Sequence, residues 1–144
     1  MQVRESMTRN VKITAPTQSM REAARLMAEL EVGVLPVGEN DRLVGMITDR
    51  DIAVRGVAAG KGPETPVREV MSGEVKYCFE DQSIEEVTAN MGDIQVRRLP
   101  VLNRDKRLVG IISLGDVAVQ SGREEVAGVA LGGISRPGGE HTQS

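Results

Sequence analysis

Short apolar runs recur along this chain at regular intervals, and the whole series occurs twice. Residues 11–14 make a brief β-rich run that ends at Pro16. Ser19-x-x-Glu22 then has the form of a capping box, which opens a helix by satisfying free N–H groups. Met20, Ala23, Ala24, Met27 and Leu30 follow at helical spacing. Two apolar runs come next, over residues 32–37 and 43–47, separated by Gly38-Glu39-Asn40-Asp41. This spacing predicts a β-hairpin, with a second helix starting at Thr48-Asp49-Arg50-Asp51. Further along, Ser83-x-x-Glu86 precedes Ile84, Val87, Met91 and Ile94, again at helical spacing. Residues 96–102 and 108–112 flank a turn at 103–106, and another helix is predicted from Ser113.

The two series are copies of one unit, and a repeat of this kind fixes the fold. Val3-Arg4-Glu5 returns as Val67-Arg68-Glu69, an offset of 64 residues. Leu35-Pro36-Val37 returns as Leu99-Pro100-Val101. After Asp41 and Asp105 the offset becomes 65, the mark of a one-residue insertion in a turn. Arg42-Leu43-Val44-Gly45 then matches Arg107-Leu108-Val109-Gly110. The expected fold is α/β (α+β-like): two β-α-β-β-α repeats related by a pseudo-two-fold axis, with their sheets packed together. A single copy is too small to bury both its sheet and its helix faces. The expected boundaries are residues 1–60 for the first repeat, 61–66 for a Gly/Pro linker, and 67–123 for the second repeat. Residues 124–144 are expected to form a short helix (124–134) and a disordered tail. Helix faces left over after the repeats pair favour a homodimer, unless they pack fully inside a monomer.

Composition narrows the function. The chain has 144 residues, 40% of them hydrophobic, and a net charge of −3. No strongly basic surface is implied, so nucleic acid is not an expected partner. Tyr77 and Phe79 are the only aromatic residues, which removes stacking platforms for bases. One cysteine, Cys78, and one histidine, His141, cannot build a structural zinc site or an internal disulfide. The expectation is therefore no metal. No apolar stretch approaches the ~18–20 residues that span a bilayer, and the charged N-terminus leads into no apolar run. A cytoplasmic protein without membrane attachment is expected. The P-loop pattern is absent, and no Ser/His/Asp or Cys/His set or acid–base constellation is present, so no enzyme and no catalytic residue are expected.

A β-α-β-β-α repeat with a Leu-Pro-Val strand, followed by Leu-Val-Gly, two apolar residues and Thr/Ser-x-x-Asp, resembles the CBS domain. The first copy carries Leu35-Pro36-Val37 and then the run from Leu43 to Asp51. The second carries Leu99-Pro100-Val101 and the run from Leu108 to Asp116. The resemblance covers about four-fifths of the chain, as the repeat spans show. It is to a short stand-alone bacterial CBS pair, or Bateman module. It implies a regulatory module without a resident cofactor that binds AMP, ADP, ATP or S-adenosylmethionine in clefts between the repeats and often forms dimers. It also leaves open an unidentified protein partner.

The residues themselves support a site. A glycine near a strand end, such as Gly45, lets a ligand or another backbone approach closely. The hydroxyl of Thr48 lies where helix N–H groups are free, a place that favours anions. Asp51 follows three residues on; a carboxylate can accept two hydrogen bonds, and a ribose offers two adjacent hydroxyls. The resemblance implies that this Asp holds the ribose, with Thr48 and Asp51 in one site and Ser113 and Asp116 in the other. Thr-x-x-Asp and Ser-x-x-Asp are equally N-cap patterns, and capping and binding can coexist. Ile13, Val34, Leu35, Pro36, Leu99 and Pro100 are candidates for an adenine slot, most of them equally suited to the core; Pro36 and Pro100 are the candidate pocket edges. Gly33-Val34 in the first copy is replaced by Arg97-Arg98 in the second. A guanidinium suits phosphate, so Arg97 or Arg98, with Arg50 as a further candidate, marks a phosphate end and makes the two sites unequal. Surface salt bridges are the plainer role for these arginines. Two alternative functions remain: an interaction scaffold that binds no nucleotide, and a redox response through Cys78, which is otherwise an ordinary core residue.

Overall fold

The computed structural model describes residues 1–120, without the side chains of residues 119 and 120. The helix expected over 124–134 and the tail after it lie outside the described residues. Helices and small sheets alternate along the chain, a mixed α/β fold. They form two compact units. The first unit is Lys12–Val75; the second combines Met1–Val11 with the described residues from Lys76 to Gln120. The compact units are thus out of phase with the sequence repeats. The opening segment of each repeat folds with the body of the other.

The first unit contains α1 (Met20–Leu30), β1 (Val34–Glu39), β2 (Arg42–Thr48) and a π-helical segment, Asp51–Val57. Ser19 caps α1 by accepting a hydrogen bond from the Glu22 N–H at 3.1 Å. The reciprocal half of the capping box is not made: the Glu22 carboxylate turns to Arg25 instead. Glu31 ends the helix in the left-handed conformation, φ 55°. β1 and β2 are antiparallel. Their turn is only Asn40-Asp41, both residues with positive φ, as the tight two-residue hairpin turn requires. In the π-helical segment the Ala58 N–H reaches the Ala53 carbonyl and the Lys61 N–H reaches that of Gly56, spacings of five residues. The core joins Met20, Ala23, Met27, Leu35, Val37 and Ile47 to Val67 and Val70, which come from the start of the second repeat.

The second unit contains β3 (Cys78–Phe79), α2 (Ile84–Ile94), β4 (Arg98–Leu102), β5 (Leu108–Ser113) and α3 (Leu114–Gln120). Ser83 caps α2 as Ser19 caps α1, and Gln95 ends it with φ 59°. The insertion inferred from the repeat offset is visible here. The turn has three residues, Arg104-Asp105-Lys106, and Lys106 takes the left-handed conformation, φ 61°. Val3 and Met7, from the start of the first repeat, join Cys78, Ile84, Val87, Met91, Leu99, Val101 and Ile112 in this core.

The first β-run differs between the copies. In the second unit β3 pairs parallel with β4, and the Glu80 N–H extends the pairing to the Leu102 carbonyl at 2.9 Å. The run expected over residues 11–14 makes only a single bridge, Thr14 to Val37. Pro16 stands where Glu80 does in the repeat, and a proline has no N–H to continue the ladder.

The opening segments also explain the glycine of each Leu-Val-Gly run. Ser72 and Met46 exchange both backbone hydrogen bonds in the first unit, as do Thr8 and Ile111 in the second. A methyl group placed on Gly45 would lie 2.8 Å from the Ser72 carbonyl oxygen; one on Gly110 would lie 2.9 Å from that of Thr8. The close approach that these glycines permit is therefore to backbone.

Candidate functional site

Each hairpin has an open end, opposite its turn, where the last residue of its second strand faces the first residue of its partner. In the first unit Thr48 pairs with Val34, and the chain runs directly into Asp49, Arg50 and Asp51. The Thr48 N–H donates to Asp51 Oδ2 at 3.0 Å, and the Asp51 N–H donates to Thr48 Oγ1 at 2.9 Å. This reciprocal pair is a complete capping box, so the capping role is real. It also fixes the carboxylate in place. Asp51 Oδ1 lies 4.0 Å from an Arg55 nitrogen, too far for a hydrogen bond, and the side chain retains 18% exposure. That oxygen keeps acceptor capacity for a donor from outside. Arg55 is itself tethered, donating to the Met71 carbonyl at 3.1 Å.

Asp49 was not singled out by spacing, yet the geometry gives it a position. Its N–H donates to the Gly33 carbonyl at 2.9 Å. Its Oδ1 accepts from the Arg50 N–H at 2.8 Å. Its carboxylate lies over Gly33, so that a methyl group on residue 33 would come within 3.0 Å of Oδ2. The Arg50 side chain is exposed.

In the second unit Ser113 pairs with Arg98, and the Asp116 N–H donates to Ser113 Oγ at 3.1 Å. The Leu114 N–H donates to the Arg97 carbonyl at 3.1 Å, the same link that Asp49 makes to Gly33. Here the side chains are reversed in character. Leu114 is buried in the core, and both Arg97 and Arg98 are exposed. Neither arginine has an ion-pair partner among the described residues, so the surface salt bridges open to them are not made there.

Pro36 and Pro100 lie two residues inside their strands, paired with Met46 and Ile111, and both are buried. The Pro36 carbonyl accepts from the Thr14 N–H, and that of Pro100 from the Cys78 thiol. Leu35 and Leu99 belong to the cores, whereas Ile13 is 39% exposed. Structure therefore gathers Thr48, Arg50 and Asp51 at one hairpin end, and Arg97, Arg98, Ser113 and Asp116 at the other. The prolines are set back from both. The strand-end pairing of residues 34 with 48 and 98 with 113 was the signal that could have brought Asp49 and Leu114 into view.

Cys78 is buried, and the loss of solvent pushes its thiol pKa up to about 12. A thiol held protonated and out of contact with solvent is unsuited to exchange chemistry. Among the described residues no cluster of three or more His, Cys, Asp or Glu is placed to hold a metal ion. None of the described helices is long and apolar enough to cross a membrane.

Comparisons with known proteins give the same repeat. The CBS domain family model matches the chain twice, over residues 3–56 and 67–120. A CBS domain-containing protein of Bacillus subtilis, YhcV, is 45% identical over 92% of this chain and 94% of its own length. Among solved structures, Hypoxic Response Protein I, described with two coordinated zinc ions, is 38% identical with a TM-score of 0.73; the match covers 82% of this chain and 97% of that one. The CBS domain pair of MJ0100, solved with 5′-methylthioadenosine and S-adenosyl-L-methionine, is 27% identical with a TM-score of 0.71, covering 86% and 98%. CBSX2, solved with AMP, is 25% identical with a TM-score of 0.73, covering the same shares.

Proposed function

This chain belongs to the CBS domain family as a tandem pair, and on that premise we propose that it is a non-catalytic regulatory module that binds an adenine nucleotide. The observation that carries the reading is the hairpin-end carboxylate. Asp51 is fixed by its reciprocal bonds with Thr48 yet keeps one oxygen able to accept a ribose hydroxyl. Asp116 follows Ser113 at the same spacing, with only the backbone half of that pair made, Asp116 N–H to Ser113 Oγ. Two similar pairs have adenosine compounds bound, AMP in CBSX2 and two sulfur-containing adenosines in the MJ0100 pair. Arg97 and Arg98 stand at the start of the strand that pairs with Ser113, and a guanidinium presents forked donors suited to phosphate.

The ligand acts by shifting the protein between shapes or partner affinities, which requires that it bind one state better than another. The working form is a cytoplasmic homodimer, for which the exposed Val54, Val57 and Leu30 provide apolar surface. Light scattering should give twice the chain mass; a stable monomer on dilution contradicts the dimer. The competing reading is a scaffold that uses Asp51 and Asp116 only as caps, and the closed Thr48–Asp51 box favours it.

A thermal-shift screen with AMP, ADP, ATP and S-adenosylmethionine separates the two. A ligand at 100 times its dissociation constant stabilises the folded state by ~2.7 kcal/mol, so a binder raises the melting temperature measurably. No shift with any of them leaves the scaffold. Calorimetry with adenosine, AMP and ATP on wild type, Arg97→Ala and Arg98→Ala then tests the phosphate end. At least one substitution should reduce the affinity that the phosphates add.

A further inference from the structure

The two hairpin ends differ by a linked pair of residues. In the first unit residue 33 is glycine and residue 49 is aspartate; at the repeat-equivalent positions the second unit has Arg97 and Leu114. The backbone link is common to both, Asp49 N–H to Gly33 carbonyl and Leu114 N–H to Arg97 carbonyl. The side chains at these positions differ in size and charge together. The Asp49 carboxylate occupies the space over residue 33, where even a methyl group would meet Oδ2 at 3.0 Å. Leu114, at the position equivalent to Asp49, is buried in the core, and Arg97 is exposed. The pair therefore determines which charge stands at the open end. In the first unit two carboxylates, Asp49 and Asp51, flank the strand end, and Asp49 is held by the Arg50 N–H at 2.8 Å. In the second unit Asp116 is the lone carboxylate at these positions, with two exposed arginines opposite. Arg50 and Arg55 soften the contrast in the first unit. Arg55, however, is drawn to the Met71 carbonyl and Asp51, and Arg50 lies on the helix side rather than on the strand that carries Arg97 and Arg98.

We propose that Asp49 makes the first unit selective against phosphate, so that it takes an adenine nucleoside whose 5′ substituent is uncharged or cationic, while the second unit takes the phosphorylated nucleotide. This rests on the preceding reading that the hairpin-end carboxylates bind adenosine compounds, and it adds which compound each end accepts. A carboxylate held close to an incoming phosphate repels it, whereas a methylthio or sulfonium group meets no such penalty. The second end, with Arg97 and Arg98 and without the second carboxylate, has the opposite preference. Asp49 is then a specificity-determining residue in a protein with two different ligands rather than two copies of one.

The test uses the whole chain, wild type and Asp49→Asn, titrated with AMP and with 5′-methylthioadenosine and followed by backbone amide NMR. Asparagine keeps an acceptor for the Arg50 N–H and removes the charge. In wild type, AMP should shift the amides of Arg97, Arg98, Ser113 and Asp116 first, and 5′-methylthioadenosine those of Gly33, Thr48 and Asp51. In Asp49→Asn, AMP should reach the first end with an affinity raised roughly tenfold, the effect of removing one nearby like charge. AMP filling both ends of the wild type with equal affinity overturns the selectivity while leaving adenosine binding intact. An unchanged AMP affinity at the first end of Asp49→Asn overturns it in the same way. No shift at either end with either compound overturns this proposal and the adenosine-binding reading together.

Discussion

The two units are built from one sequence pattern, and they agree where packing decides and differ where chemistry does. Helices α1 and α2 have the same length, the same serine caps and the same left-handed end. Both cores are closed by a segment borrowed from the start of the other repeat, and both second strands carry a glycine where that segment lies against the sheet. The differences gather at the hairpin ends and turns: Gly33 and Asp49 against Arg97 and Leu114, a two-residue turn against three, a π-helical segment against an α-helix. Duplicated scaffolds of this kind hold their cores nearly fixed, because a core tolerates little change in shape. Exposed strand ends are free to diverge into separate sites.

The borrowed segments offer the strongest way to break the likeness. Deleting Met1–Val11 removes Val3 and Met7 from the second core, each worth ~1.5–3 kcal/mol of burial. Hydrogen exchange should show residues 76–118 losing protection while Lys12–Val75 keep theirs; equal loss in both contradicts the division into units. Next come the glycines. Gly45→Ala and Gly110→Ala each force a methyl group against a backbone carbonyl, so each should cost ~1–3 kcal/mol by denaturant melts. Unaltered melts would mean that the segments are not seated as described. The caps should behave alike. Ser19→Ala and Ser83→Ala each remove one N3 acceptor, worth ~1 kcal/mol, and a large difference between them would break the symmetry of the helices.

The smallest effect belongs to a feature only the second unit has. Arg104 lies over the Phe79 ring at 4.1 Å and grips the Asp81 carboxylate through two hydrogen bonds, where the first unit has Asn40, Ala15 and Thr17. The guanidinium holds the Asp81 carboxyl below its ordinary range. A lowered folded-state pKa adds stability above the unfolded value and loses it as pH falls through the folded value. The melting advantage of wild type over Arg104→Ala should therefore be greatest near neutrality and shrink in acid. An advantage that grows in acid would contradict the pairing.

Much of this was legible in sequence, for physical reasons that also explain the rest. Repeat spacing, serine caps and apolar periodicity are local signals, and they located α1, α2 and both hairpins. The one-residue change of offset located the longer turn, although the first turn is tighter than the run Gly38 to Asp41 suggests. The exchange of opening segments was not legible, because a repeat states what resembles what and not what packs with what. The missing strand at residues 11–14 was hidden in the contrast of Pro16 with Glu80. Thr48, Asp51, Ser113 and Asp116 were found as a pattern. Asp49 does not stand out in sequence because its position depends on Gly33, which is adjacent across the strand end and sixteen residues away in the chain.

Beyond its place at a helix start, a hairpin-end carboxylate of this pair is proposed to hold the ribose of an adenine nucleotide. Titration calorimetry of AMP into wild type and Asp116→Ala, with a thermal melt of each, tests it most directly. Wild type should bind, the variant should lose ~1.5–3 kcal/mol of binding as a charged acceptor of ribose hydroxyls is removed, and its melt should fall by no more than ~1–2 kcal/mol, the most that a carboxylate at a helix start contributes. A variant that melts lower yet binds AMP as well as wild type, or a wild type that binds no AMP, contradicts it.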